Sequence, residues 1–307
     1  MQISYLGPMI INAKTKAFLQ LHVAVMLFGF TAILGKLIVL SALVLVWWRV
    51  LITASSIYLF LRLRGRNISL DSKRIKIYMA IGGVIAIHWL TFYGAVKLSN
   101  SSITLLCMAT TSFFTSFIEP VFFKRPLEKI DIAIGCIIVP VMALIAKDIQ
   151  TSYLVGALVG LLSAFLAAYF SVLNKKYIED VPPMVMSFWE IVGVLGVTSV
   201  MVPIYLFKEP TAMFLPPDMA NWVYIFVLAI ACTTVAWVLS LYALRHLSAF
   251  ENNLVVNLEP VYGILLAAAI LQEHKELNTG FYVGGSIILV LVLAYPTLKR
   301  KLVAQSI

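Results

Sequence analysis

The stretch Tyr93-Gly-Ala-Val-Lys-Leu-Ser99 has a counterpart 149 residues further on, Tyr242-Ala-Leu-Arg-His-Leu-Ser248, and the same offset carries Gly135 onto Gly284 without a gap. At an offset of 139, Leu34 and Lys36 meet Leu173 and Lys175; at 141, Trp48-Arg49 meets Trp189-Glu190. The offset drifts slowly and keeps the segments in order, so the sequence reads as two copies of one unit, residues 1–149 and 150–307.

Hydropathy says what each copy contains. Of 307 residues 62% are hydrophobic and 12% charged, against about 45–50% and about 25% in ordinary soluble domains. The mean hydropathy of +0.98 excludes both a water-soluble globule and a disordered polymer. A hydrocarbon core about 30 Å thick needs about 20 apolar residues per helix. Ten such runs occur, at 17–37, 41–61, 76–96, 102–123, 130–147, 153–174, 184–206, 221–243, 250–271 and 279–297. Lys14 and Lys16 before the first run imitate a signal peptide, but the run is too long for one and no small-residue cleavage pattern follows. The expectation is an all-α integral membrane protein of ten transmembrane helices, five per copy. An odd number of spans turns the second copy upside down, so the repeats are inverted, the plan by which many secondary transporters build two gates around one site.

The basic residues set the orientation. Seventeen of the 23 Lys and Arg fall in segments that are cytoplasmic if the N-terminus is inside; five, Lys36, Lys97, Lys147, Lys208 and Lys275, fall opposite, and Arg49 lies within a span. That bias puts both termini in the cytoplasm. The net charge of +9 is therefore spread over connecting segments, and nucleic acid is not an expected partner. Cys107, Cys136 and Cys232 all lie in apolar runs, which argues against a disulfide framework. No phosphate-binding G-x-x-x-x-G-K-[ST] loop is present, so no ATP motor and no cofactor are expected.

An ionisable group at membrane depth is costly unless paired or hydrated, so buried charges are functional candidates. Arg49, Glu190 and Glu259 each fall within roughly 5 Å of the midplane at 1.5 Å per residue. Arg49 is a fixed cation whose planar fork suits a carboxylate or phosphate; the structural alternative is an internal pair with Glu190 or Glu259. Glu259 precedes Pro260, which opens the helical ladder and favours a hinge. Asn252, Asn253, Asn257 and Glu259 form a polar stripe that belongs in the interior. His22 and His88 are candidate proton relays or solute contacts, with plain packing as the alternative; no second His stands three or four residues from either, so no metal site is expected. Trp89, Tyr93, Trp189, Trp237 and Tyr242 are candidates for an aromatic pocket, with Thr110, Thr111, Ser112 and Thr115 supplying hydroxyls. Gly156-x-x-x-Gly160 and Gly280-x-x-x-Gly284 read as close helix packing.

From residue 17 to 297 the chain resembles the drug/metabolite transporter superfamily, specifically its ten-helix EamA-type exporters. The resemblance rests on Phe28-Gly29 with Lys36 closing the first span, on Trp47-Trp48-Arg49, on Tyr242 to Ser248 leading to Leu258-Glu259-Pro260, on Gln272-Glu273 and on the glycine-rich last span from Gly280 to Gly285. The family's usual Trp before the first glycine is here Phe28, and the first copy places Thr110-Thr111 where the second has Glu259-Pro260. Glu119-Pro120 looks like a copy of Glu259-Pro260 but lies nine residues out of register and is expected only to neighbour Lys124 and Arg125. The resemblance implies a secondary exporter of a small metabolite, an amino acid or similar amphipathic solute, working by alternating access in the inner membrane of a bacterium with lipid around it. Proton coupling fits Glu190 and Glu259, whereas a uniporter needs no titrating group. A polytopic enzyme acting on lipid would need clustered polar loops, and a phosphorylated-sugar or nucleotide-sugar antiporter more than one buried cation. The oligomeric state is left open.

Overall fold

The structure is a computed structural model that describes residues 12–145, 153–179 and 181–259, with scattered positions from 261 to 298. All regular structure among the described residues is helical: α1 (Ala13–Leu37), α2 (Ala42–Leu63), α3 (Ser72–Leu98), α4 (Ser101–Met108), α5 (Thr111–Phe123), α6 (Lys129–Ile145), α7 (Leu154–Tyr177), α8 (Pro183–Lys208), α9 (Met219–Ala229), α10 (Ala236–Leu244) and α11 (Ala249–Val256). Six helices are long and apolar enough to cross a membrane, namely α1, α2, α3, α7, α8 and the continuous Met219–Leu244, in which α9 passes into α10 through a wider π turn, Ile230–Val235. The runs expected at 250–271 and 279–297 reach largely beyond the described residues, and Pro260, Gln272 and Glu273 lie outside them.

Short polar residues start these helices by satisfying amides that have no intrahelical acceptor. Asn12 accepts from the Lys14 amide, Asp71 from that of Arg74 and Asp218 from that of Asn221. At α11 Ser248 and Glu251 form a reciprocal capping box. α8 starts on Pro183, whose missing N–H costs nothing in a first turn.

One expected span is not continuous. The run 102–123 breaks at Ala109-Thr110 into α4 and α5. No Pro or Gly causes this; the hydroxyl of Thr111 donates to the Met108 carbonyl at 2.6 Å, and that of Thr110 donates at 2.7 Å to the Cys107 carbonyl, which also accepts the Thr110 amide at 3.0 Å. α11 ends in a turn at Asn257-Leu258, and Glu259 follows it directly.

α3 lies between α7 and α8, α1 packs along α9 and α10, and α2 packs against α8. The α3–α8 approach is made by glycines: a Cβ on Gly82 would run into the Glu190 carbonyl, and one on Gly193 would lie 2.5 Å from the Met79 carbonyl. Gly156 and Gly160 of α7 work the same way, against Ser99 and Cys107. Outside this core large apolar side chains such as Leu59, Val121, Val200 and Phe207 stand exposed on the helix flanks, the surface that lipid covers in a membrane protein.

Candidate functional site

The helices surround a partly open cavity. Its walls come from both halves of the chain: Arg49 from α2, His88 and Trp89 from α3, Asn174 from α7, Trp237 from α10, Asn253 from α11 and Glu259 just beyond it. A cation, a carboxylate, carboxamides and indole rings thus face one space in an otherwise apolar bundle.

Arg49 is 3% exposed. Its Nε donates to the Thr233 hydroxyl at 2.7 Å, its Nη1 donates to the Tyr93 hydroxyl at 2.9 Å, and the guanidinium carbon lies 4.0 Å from the centre of the Trp89 ring. The π turn makes the first bond: Thr233 itself donates to the Leu228 carbonyl five residues back, which fixes its oxygen as an acceptor. Two of the five guanidinium donors are used in this way. Among the described residues neither Glu190 nor Glu259 approaches within the 4.0 Å of an ion pair with Arg49.

His88 is pinned from outside the cavity. Its Nδ1 lies 2.9 Å from both the carbonyl and the hydroxyl of Ser163. The Ser163 hydroxyl also lies 3.0 Å from the His88 carbonyl, and the Phe170 ring packs tilted against the imidazole at 5.2 Å.

The polar stripe of α11 is buried and tied to neighbouring helices. Asn253 donates to the Thr115 hydroxyl at 2.8 Å and accepts from the Ser171 hydroxyl at 3.1 Å; Asn257 donates to the Ser112 hydroxyl at 2.7 Å. The Trp237 indole N–H donates to Glu190 Oε2 at 3.1 Å, so this carboxyl sits behind the cavity wall rather than in it.

Of the residues singled out in the sequence, Arg49, His88, Trp89, Thr111, Trp237, Asn252, Asn253 and Glu259 line the cavity. Tyr93, Glu190 and Asn257 stand in the layer behind it. Trp189 and Tyr242 are elsewhere: the Trp189 indole donates to the Ile68 carbonyl in the α2–α3 loop, and Tyr242 is exposed. Pro260, the expected hinge, lies outside the described residues. Thr31, Phe170, Ser171, Asn174 and Ser240 line the cavity but were not singled out. A signal was present for one pair: Ser171 and Asn174 stand three residues apart, hence on one face, in the last turns of an apolar run.

Glu119 has a larger role than neighbouring Arg125, which it meets at 3.3 Å. Its carboxylate accepts from the backbone amides of Ala249 and Phe250 at 3.2 and 2.9 Å, so a side chain of α5 caps the start of α11.

Helices long and apolar enough to cross a membrane thus surround a polar and aromatic cavity. Residues 154–295 match the EamA-like transporter family, part of the drug/metabolite transporter superfamily. No curated protein matches the chain. A crystal structure of another protein superposes with a TM-score of 0.75 at 13% identity, covering 93% of this chain and 98% of that one, a likeness of fold alone.

Proposed function

We propose that the protein exports a small amphipathic metabolite, an amino acid or a close relative, across the bacterial cell membrane by alternating access. The observation that carries this reading is that Arg49 and Glu259 line one cavity without pairing to each other. A zwitterion satisfies both at once, carboxylate to guanidinium and ammonium to carboxylate, while Trp89, Phe170 and Trp237 cover its apolar part. A phosphorylated solute fits less well, because Arg49 is the sole Lys or Arg in the described lining.

The rocking mechanism rests on ten spans arranged as inverted repeats, residues 1–149 and 150–307, with cytoplasmic termini. Two features support that arrangement. α1 packs along α9 and α10 as α7 packs along α3, the relation expected when the first and third helices of each copy exchange partners. The helix breaks at Ala109-Thr110 and Asn257-Leu258 fall 148 residues apart, within one residue of the sequence offset. Such breaks in corresponding helices are where transporters of this plan keep their solute.

The test is efflux of radiolabelled amino acids from proteoliposomes containing the purified protein, with and without an imposed pH gradient. Saturable efflux that competing amino acids suppress is the expected result, and acceleration by the gradient marks proton coupling. Efflux no faster than from protein-free vesicles across the set would overturn the reading.

A further inference from the structure

Arg49, Thr53 and Ser56 stand four and three residues apart on α2 and so share one face of that helix. All three meet the π turn. Arg49 Nε donates to the Thr233 hydroxyl at 2.7 Å, the Thr53 hydroxyl donates to the Ala229 carbonyl at 3.1 Å, and the Ser56 and Thr234 hydroxyls lie 3.0 Å apart. Within the turn Thr233 and Thr234 donate to the carbonyls of Leu228 and Ala229, each five residues back. In an α-helix a Thr hydroxyl reaches the carbonyl three or four residues back. The wide turn carries one residue more, which sets both hydroxyls a step further along.

That register decides what the Thr233 oxygen can do. Its single proton goes to Leu228, so toward Arg49 it only accepts. The guanidinium is thereby fixed on three sides: Nε on Thr233, Nη1 on the Tyr93 hydroxyl, and one face on the Trp89 ring. Tyr93 is itself wedged, because a Cβ on Gly35 of α1 would lie 2.6 Å from its ring. With Nε occupied, the side-on approach of a carboxylate to Nε and Nη2 is closed. What remains is the end-on approach, to Nη2 and the second N–H of Nη1. Among the described residues Nη2 makes no hydrogen bond, and Arg49 lines the cavity.

Taking Arg49 as the solute's carboxylate contact, as the transporter reading has it, we propose that Thr233 is its positioning residue. Held in register by the π turn, Thr233 closes one edge of the guanidinium and makes the site receive a carboxylate end-on. Thr233 is not in the described cavity lining and acts through Arg49. The polar face of α2 keeps the turn in place, with Thr53 and Ser56 bonded on the side away from the solute's contact.

Two readouts on the full-length protein separate aim from stability. The first is KM and maximal rate for efflux from proteoliposomes of the radiolabelled amino acid that wild type moves fastest. Thr233→Val keeps the side chain's shape and removes its oxygen. KM should rise about tenfold, the order of one hydrogen bond to a charged group, without a matching fall in maximal rate. Thr233→Ser restores the oxygen and should restore KM. Thr234→Val loses the equivalent bond from the same turn without touching Arg49, and should lower the melting midpoint while KM holds. A KM equal to wild type in Thr233→Val, or the same rise in Thr234→Val, would overturn the proposal.

The second readout needs no solute. The drop in melting midpoint caused by Thr233→Val should be smaller in an Arg49→Ala background, where the bond to Nε is already gone; an equal drop in both would show that Thr233 does not hold Arg49. Should Thr233→Val fail to fold, Thr233→Cys replaces it, because sulfur is a weak acceptor. A non-additive pair in a protein that moves no amino acid would sink the transport reading and leave Thr233 as the residue that aims Arg49. Saturable efflux with an additive pair would sink the positioning role alone.

Discussion

The guanidinium of Arg49 lies 4.0 Å from the centre of the Trp89 ring, stacked over its face while Tyr93 and Thr233 hold its edge. A buried cation normally needs an anion, and here a ring and two hydroxyls hold the fork in place with donors to spare. Arg49→Ala is expected to abolish efflux while the protein stays folded in the membrane. Arg49→Lys keeps the charge but loses the fork, and loss of one charged hydrogen bond at about 1.5–3 kcal/mol weakens solute binding roughly 10- to 100-fold. Wild-type efflux by both variants would remove Arg49 from the site.

Glu259 shares the cavity with Arg49 and is expected to behave as its complement. Glu259→Ala should abolish efflux, and Glu259→Gln, which keeps size but removes charge, should lose zwitterions more severely than simple carboxylic acids. Competition by the two solute classes against a labelled amino acid measures the difference. An equal loss of both would show that Glu259 does not read the ammonium group.

How far the sequence disclosed this site depends on which physical rule governed each residue. Charges inside apolar runs were conspicuous because each is expensive there, so Arg49, Glu190 and Glu259 stood out. Layers were not conspicuous. Glu190 lies at the same apparent depth as Arg49 yet sits behind Trp237, since depth along a helix says nothing about direction around it. Trp189 adjoins Glu190 in the chain but points about 100° away from it, toward Ile68, and Tyr242, five residues after Trp237, comes round to an exposed flank. The long spans were legible from run length, but the break at Ala109-Thr110 was not, because no Pro or Gly marks it and Thr111 bonds the Met108 carbonyl through its hydroxyl.

Glu119 makes the prediction most unlike its sequence reading. Its carboxylate holds the first amides of α11 and meets Arg125, so Glu119→Ala strips a helix cap and leaves Arg125 with Glu128 alone of its two carboxylate partners. A cap is worth about 0.5–2 kcal/mol, and a lower thermal midpoint in detergent is expected. Efflux should fall less than in Arg49→Ala, because Glu119 is not in the described cavity lining. A midpoint equal to wild type would show that the capping contact contributes nothing.

The close approach of α3 and α8 gives a sharper structural test. Gly82 presses against the Glu190 backbone and Gly193 against that of Met79, and neither neighbour is a flexible side chain able to swing aside. Gly82→Ala must therefore push the helices apart, and overpacking of this kind costs about 1–3 kcal/mol. The displacement falls on Glu190 itself and so on its bond to Trp237, which makes the substitution disturb the cavity as well as the melt. Gly83→Ala is the matched control, because the same added carbon meets nothing within 4 Å. A lower melting midpoint and impaired efflux are expected for Gly82→Ala, with both near wild type for Gly83→Ala. Equal behaviour of the two would mean that backbone contact between α3 and α8 is not what sets the position of Glu190.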